Sequence, residues 1–269
     1  MNAKTRTSRF LPVLNIIAYA AVLFVNFLSN ALPLNGRTAA EISDALPSFF
    51  TPAGYTFSIW GVIYLALFGF VIYQALPAQR SAPFQRRIGP LFVASGIANI
   101  AWLFAWHYGF YAVSVPIMVA LLLILIAIYL RLNVGRRNPG MGTWQRLLVH
   151  TPFSLYLGWI TVATIANIAS VAPYLGWDGF GISGPVWSAL MMFVAVIVAG
   201  LLLLRRRDPA YAAVLVWALF GIRAAHTDVA VVANSALIAA GAIALIALTS
   251  WLRGWRGPVS PAQEHMQTA

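Results

Sequence analysis

Eight apolar stretches, separated by short segments that carry almost every arginine, dominate this 269-residue chain. They run over roughly 11–31, 54–75, 89–107, 112–131, 149–171, 184–204, 209–224 and 229–252. Most approach the roughly 20 residues that an α-helix needs to cross the hydrocarbon core of a bilayer. Backbone amides that face lipid must be satisfied within their own segment, so each stretch predicts a helix. The seventh is the shortest, with an expected length of about 24 Å. Composition agrees, at 9% charged and 61% hydrophobic residues, where a soluble domain carries about 25% charge. The expected fold is all-α, a polytopic membrane helical bundle of about eight transmembrane helices.

The basic residues order these helices. Lys4, Arg6 and Arg9 precede the first stretch, and Arg80, Arg86 and Arg87 follow the second. Arg131, Arg136, Arg137 and Arg146 follow the fourth, Arg205, Arg206 and Arg207 the sixth, and Arg253 and Arg256 the eighth. Fifteen of the 17 basic residues thus fall on one side, leaving Arg37 and Arg223 on the other. Positively charged loops stay cytoplasmic, which predicts an even helix number and both termini in the cytoplasm. The expected location is a bacterial cytoplasmic membrane. The net charge of +11 is then a topology signal: it predicts contact with anionic membrane lipid and no nucleic-acid partner. The first stretch has the basic start of a signal peptide, but Ser29-Asn30-Ala31 offers no A-x-A site, so an uncleaved helix is expected. The residues from Gly257 read as a disordered tail.

The inventory of reactive groups excludes much chemistry. With no cysteine there are no disulfides, iron–sulfur clusters, thiolate zinc sites or cysteine nucleophiles. Lys4 is the sole lysine, so no mid-helix lysine exists for a retinal Schiff base. The acidic residues Glu41, Asp44, Asp178, Asp208, Asp228 and Glu264 all map to loops, helix ends or the tail. A proton relay or carboxylate sodium site inside the membrane has no residue to carry it. No paired-aspartate motif for magnesium–diphosphate chemistry is present. No catalytic residue set emerges, and the chain is expected not to be an enzyme.

Polar and aromatic residues instead gather on single helix faces. Asn15, Tyr19, Asn26 and Asn30 are spaced 4, 7 and 4 apart on the first helix, which places them on one side at 100° per residue. Phe57, Trp60 and Tyr64 do the same on the second, Ser95, Asn99, Trp102 and Trp106 on the third, and Tyr156, Trp159, Ala163, Asn167 and Ser170 on the fifth. Charge alternation puts Asn26, Asn30, Trp60, Asn99, Trp102, Trp106 and Asn167 in the non-cytoplasmic half. Tyr156 and Trp159 lie deeper, as a floor. An asparagine in a membrane helix gains only about 0.6 kcal/mol from an interhelical hydrogen bond, so a shared cavity explains the set better than fold stability does. The long loop at roughly 32–53, with Arg37, Glu41, Asp44, Pro47 and Pro52, would cover it. Loops of this length without structure of their own are usually functional.

Three of these segments resemble the translocator protein / tryptophan-rich sensory protein family (TspO/MBR). Pro47-Ser48-Phe49-Phe50-Thr51-Pro52, followed by Trp60 and Tyr64, is similar to the family's P-x-W-x-P-P with its later W-x-x-x-Y. Asn99-Ile100-Ala101-Trp102 is similar to its third-helix N-x-x-W, and Tyr156, Trp159, Ala163 and Asn167 to its fifth-helix Y-x-x-W with following Ala and Asn. The resemblance covers about residues 11–171. It implies a five-helix bundle that binds tetrapyrroles, sterols or other apolar ligands beneath the first loop, often as a homodimer. The site residues implied are Asn26, Asn30, Phe49, Pro52, Trp60, Tyr64, Asn99, Trp102, Trp106, Tyr156, Trp159 and Asn167. No cofactor is obligatory, and porphyrin or haem are the bound groups to consider. Phe49 stands where the family has Trp, and Thr51 where it has Pro, which counts against porphyrin photochemistry. The expected organisation is a five-helix core over 1–173, an additional three-helix segment over 174–256 and the tail over 257–269.

Arg223, His226 and Asp228 cluster between the seventh and eighth stretches. They form either a solvated turn or a clamp in which Arg223, oriented by Asp228, pairs an acidic ligand group. The clamp belongs to an alternative function, a facilitative transporter of a neutral or weakly acidic solute. His107 and His226 could ligate a haem iron, although their spacing matches no motif. Asn234 either lines the cavity or bonds a neighbouring helix. The small-residue pairs Ala94/Ala98 and Ala101/Ala105 permit close helix contact, in a homodimer seam or an internal crossing.

Overall fold

A computed structural model describes residues 10–32, 34–46, 48–136, 138 and 140–255. Lys4, Arg6, Arg9, Pro47, Arg137, Arg256, Glu264, His265 and the tail from Gly257 lie outside the described residues. Among the described residues eight long helices form the bundle: α1 (Phe10–Ala31), α2 (Ile59–Ala75), α3 (Leu91–His107), α4 (Tyr111–Leu132), α5 (Thr151–Tyr174), α6 (Gly184–Arg205), α7 (Pro209–Ala225) and α8 (Ala230–Trp255). No strand occurs among the described residues. By length and composition six segments of the described residues could cross a membrane: 10–31, 54–75, 111–132, 143–174, 184–205 and 230–252. α3 and α7 are apolar but shorter, at 17 residues each, or about 25 Å.

The helix limits follow from local chemistry. Pro185 and Pro209 occupy the first turns of α6 and α7, where a missing N–H costs nothing. Asn133, in the left-handed region at φ 56°, ends α4. In the first loop Thr38 and Glu41 form a capping box that starts a short helix, Ala39–Asp44.

α1 packs on α2 and α3, α3 on α4, and α4 on α5. α5 is the hub, because it also meets α2 and α7, while α8 lies between α6 and α7. The close α5–α7 crossing depends on Gly158. A Cβ there would stand 3.0 Å from Val214 and 3.2 Å from the Tyr211 carbonyl. Phe70, Phe92 and Phe153 tie α2, α3 and α5 together with ring centroids 5.1–6.0 Å apart. Gly96 brings α3 onto Ala18 and Val22 of α1. Ala105 is buried within the bundle, and Ala94, Ala98 and Ala101 are half-buried.

At the arginine-rich end, Asp208 caps α7 by accepting from the Tyr211 N–H (3.1 Å). It is a helix-end residue, as its position in the sequence indicates, yet it is buried. Its Oδ2 accepts from the Tyr129 hydroxyl (2.8 Å) and the Ser154 hydroxyl (2.6 Å). One carboxylate therefore joins α4, α5 and α7. Arg206 donates to Val134 O (3.0 Å) and stands over the Tyr129 ring.

Candidate functional site

The opposite end of the bundle, under the first loop, holds the convergence of tryptophans. Trp60 of α2 stacks on Tyr64 (centroids 5.3 Å apart, planes at 18°) and meets Tyr156 and Trp159 edge-on at 5.8 and 6.1 Å. Phe57 meets Trp159 edge-on at 5.7 Å. Trp102 and Trp106 of α3 stack at 5.7 Å. Edge-to-face and offset contacts of this kind add about 0.5–1.5 kcal/mol each beyond burial, so the rings hold one another in place without help from a ligand.

These rings enclose a cavity of about 40 Å³, lined by Trp60, Trp102, Trp106, Trp159, Phe57, Pro52 and Asn167, with Ala39, Ser43, Val162, Ala163, Ala166 and Ser170. That space admits a water or two. Ligand pockets run from about 300 to 1,000 Å³, so in this conformation a tetrapyrrole does not fit.

The polar groups around the cavity are unevenly used. Asn167 Nδ2 donates to Ser114 Oγ of α4 (3.0 Å) and Trp106 Nε1 to Ala39 O (3.3 Å). The indole N–H groups of Trp102 and Trp159 and the hydroxyl of Ser170 are buried with no partner among the described residues. An unsatisfied buried polar group costs about 1–3 kcal/mol, and three of them border one small space.

The remaining residues singled out in the sequence fall in other places. Tyr64 and Tyr156 belong to the aromatic cluster but not to the cavity wall. Asn99 lies behind the wall, where its Oδ1 accepts from Asn26 Nδ2 (3.0 Å) and ties α3 to α1. Asn30 donates to Asn26 O (2.8 Å) on α1 itself. Phe49 is not part of this cavity's wall and packs against the His226 ring and Gly184. Arg223 and Asp228 are not brought to the cavity, and no ion pair joins them among the described residues. His226 Nε2 donates to Thr51 O (3.1 Å), whereas the His107 ring bonds Leu103 O (2.8 Å) within α3. Among the described residues no group of three or more His, Cys, Asp or Glu is placed to hold a metal. Asn234 is exposed on the outside of α8, off the cavity.

Sequence reasoning did not find Ala39, Ser43, Val162 or Ala166. Thr38-x-x-Glu41 was the available signal for the first two. A capping box announces a helix start, and Ala39 and Ser43 are four apart on that helix.

The first loop is held down from α6, α7 and the turn that follows α7. Ser188 Oγ donates to Phe49 O (2.7 Å), His226 to Thr51 O, and Trp217 Nε1 to Thr56 O (3.1 Å). The Ala53 N–H donates to Gly221 O (3.0 Å). A Cβ at Gly221 would overlap the Thr56 hydroxyl. The roof of the cavity is thus fastened by the C-terminal part of the chain.

The family model described as TSPO-like protein matches residues 12–249. The chain belongs to the TSPO-like protein family. The match runs through α6, α7 and α8, beyond the region about 11–171 in which family motifs could be read. α6, α7 and most of α8 therefore lie inside the stretch that the TSPO-like family model covers. Neither curated proteins nor solved structures returned a match. With its six long apolar helices, this TSPO-like chain is an integral membrane protein in contact with lipid.

Proposed function

We propose that this protein is a membrane sensor or carrier that binds a hydrophobic ligand through an acceptor oxygen, without catalysing a reaction. The observation that carries the reading is the set of unpartnered donors, Trp102 Nε1, Trp159 Nε1 and Ser170 Oγ, around one aromatic cavity. A carbonyl or carboxylate placed there would satisfy what the protein leaves unsatisfied, and the flat rings would cover an apolar body. Sterol-like ketones and the propionates of a porphyrin both have this chemistry.

Access requires the first loop to move. Ala39, Ser43 and Pro52 form the roof, and four hydrogen bonds to Phe49, Thr51, Ala53 and Thr56 hold it. At about 0.5–1.5 kcal/mol net per bond, opening is affordable to a ligand of micromolar affinity, which gains about 8 kcal/mol. In this scheme residues 1–173 supply the site and 174–256 control its roof. Arginine alternation places the termini in the cytoplasm and the roof on the other side.

The test is titration with progesterone, a steroid ketone, and with protoporphyrin IX. It uses the full chain in nanodiscs and follows binding by calorimetry and by the porphyrin absorption band. At least one ligand should bind saturably, and Trp102→Phe with Trp159→Phe should weaken it about fivefold or more. No saturable binding of either, or equal affinity in the double variant, would overturn the reading.

A further inference from the structure

On the far side of α5 from Trp159 and Asn167, α5 and α6 part around a second cavity of about 550 Å³. That volume lies within the range of small-molecule sites, about 300–1,000 Å³. Ile168 and Ala169 of α5, Met191 of α6 and Phe49 of the first loop contribute to its apolar walls. Trp177 and Trp187, with ring centroids 5.2 Å apart, stand beside it.

Its polar character is the reverse of the first cavity. Trp187 Nε1–H is already committed to Gly179 O (2.7 Å), and the Ser188 hydroxyl to Phe49 O. Asp178 uses Oδ1 to accept from the Phe180 N–H (3.0 Å), which leaves its charge and its second oxygen available. None of the lining residues is cationic. The cavity therefore presents one negative charge and two indoles, with the Trp187 and Ser188 donors already engaged.

We infer that this cavity binds a single-chain amphiphilic amine. The ammonium lies between Asp178 and the indoles, and the chain runs along Ile168, Ala169 and Met191. Ring faces attract cations, and a carboxylate beside them adds a charge-assisted partner. The chain as a whole carries +11 and repels cations at long range, so local recognition must come from this one acidic group. The assignment does not depend on the tryptophan cavity, which lies across α5 and calls for an acceptor.

The probe is dansyl-aminoundecyl-trimethylammonium, titrated into the full chain in phosphatidylcholine nanodiscs, with empty discs subtracted. Dansyl-aminoundecanoate has the same fluorophore and chain with the opposite head charge. The ammonium probe should bind saturably and more tightly than the carboxylate probe. Asp178→Asn, which keeps an oxygen for the Phe180 N–H, should weaken the ammonium probe about fivefold and leave the carboxylate probe unchanged. Ala169→Phe, which fills the cavity, should abolish saturable binding. Trp102→Phe should alter neither probe. No saturable ammonium binding over empty discs, or equal affinity in Asp178→Asn and wild type, would overturn the assignment. Preference for the carboxylate probe would also overturn it.

Discussion

On one face of α5, Trp159, Ala163, Asn167 and Ser170 close on a space of about 40 Å³; on the other, Ile165, Ile168 and Ala169 border one of about 550 Å³. The same loop reaches both, with Pro52 over the first and Phe49 against the second. The difference lies in what meets α5. On the inner side α2 and α3 bring stacked tryptophans that fill the space. On the outer side α6 meets α5 only lightly, and Gly184 makes room for Phe49 instead of filling the gap. A narrow site with idle donors and a wide site with a single carboxylate share one wall and one roof. Whatever lifts the roof should enlarge the first and remove a wall from the second.

The largest effect is expected from Gly221→Val. The new side chain must displace Thr56, and with it the turn Gly54–Ser58 that leads into α2. Overpacking of this kind costs about 1–3 kcal/mol. Thermal unfolding in nanodiscs should show the loss, and hydrogen exchange should rise over residues 48–58. Unchanged protection there would mean that the C-terminal helices do not fasten the roof, and the contrast between the two sites would lose its common element.

A pair of serines, one toward each cavity, gives a smaller and sharper comparison. Ser188 on the wide side holds Phe49 O, so Ser188→Ala should cost about 1 kcal/mol and loosen the loop. Ser170 on the narrow side is buried with no partner for its hydroxyl. Ser170→Ala should leave stability unchanged or raise it, since an idle buried hydroxyl is a cost rather than a contact. Denaturant unfolding of the two variants decides the matter. Equal losses would show that Ser170 is not idle, and the acceptor-seeking character of the narrow site would fall with it.

How much of this was legible beforehand differs between the same two regions. Helical spacing and charge alternation put Trp60, Trp102, Trp106 and Asn167 in one half of the membrane, with Trp159 deeper as a floor, because periodicity within a helix and polarity between helices are both written locally. Asn26 and Asn99 have the right depth and a different partner: they bond each other, a choice that depends on helix rotation by a few tens of degrees. Phe49 was legible as a family position and not as a contact, because its surroundings come from Gly184 and His226, more than 130 residues away. The wide cavity left no trace in the sequence. Ile165, Ile168 and Met191 lie in largely apolar stretches, and only the separation of two helices makes them walls.

The smallest expected effect concerns the roof alone. The Thr38 N–H (2.7 Å) and hydroxyl (3.0 Å) donate to Glu41 Oε2 and hold its carboxyl below the usual carboxylate range. Partial burial, with Glu41 nearby, pushes Asp44 the other way. For a depressed carboxylate the stabilising contribution is complete above the unfolded value, about 4.3, and is lost as pH falls through the lower folded value. For Asp44 the sign is opposite: protonation relieves the folded state as pH falls through its raised value, which occurs first. Acidification from neutral pH should therefore first tighten and then release the helix Ala39–Asp44, read as hydrogen exchange over residues 38–46. Asp44→Asn should abolish the first phase and Glu41→Gln the second. Because Ala39 and Ser43 face the narrow cavity and nothing in 38–44 borders the wide one, Glu41→Gln should weaken ligand binding at neutral pH in the former only. Equal weakening of both sites by this variant would mean that they open together.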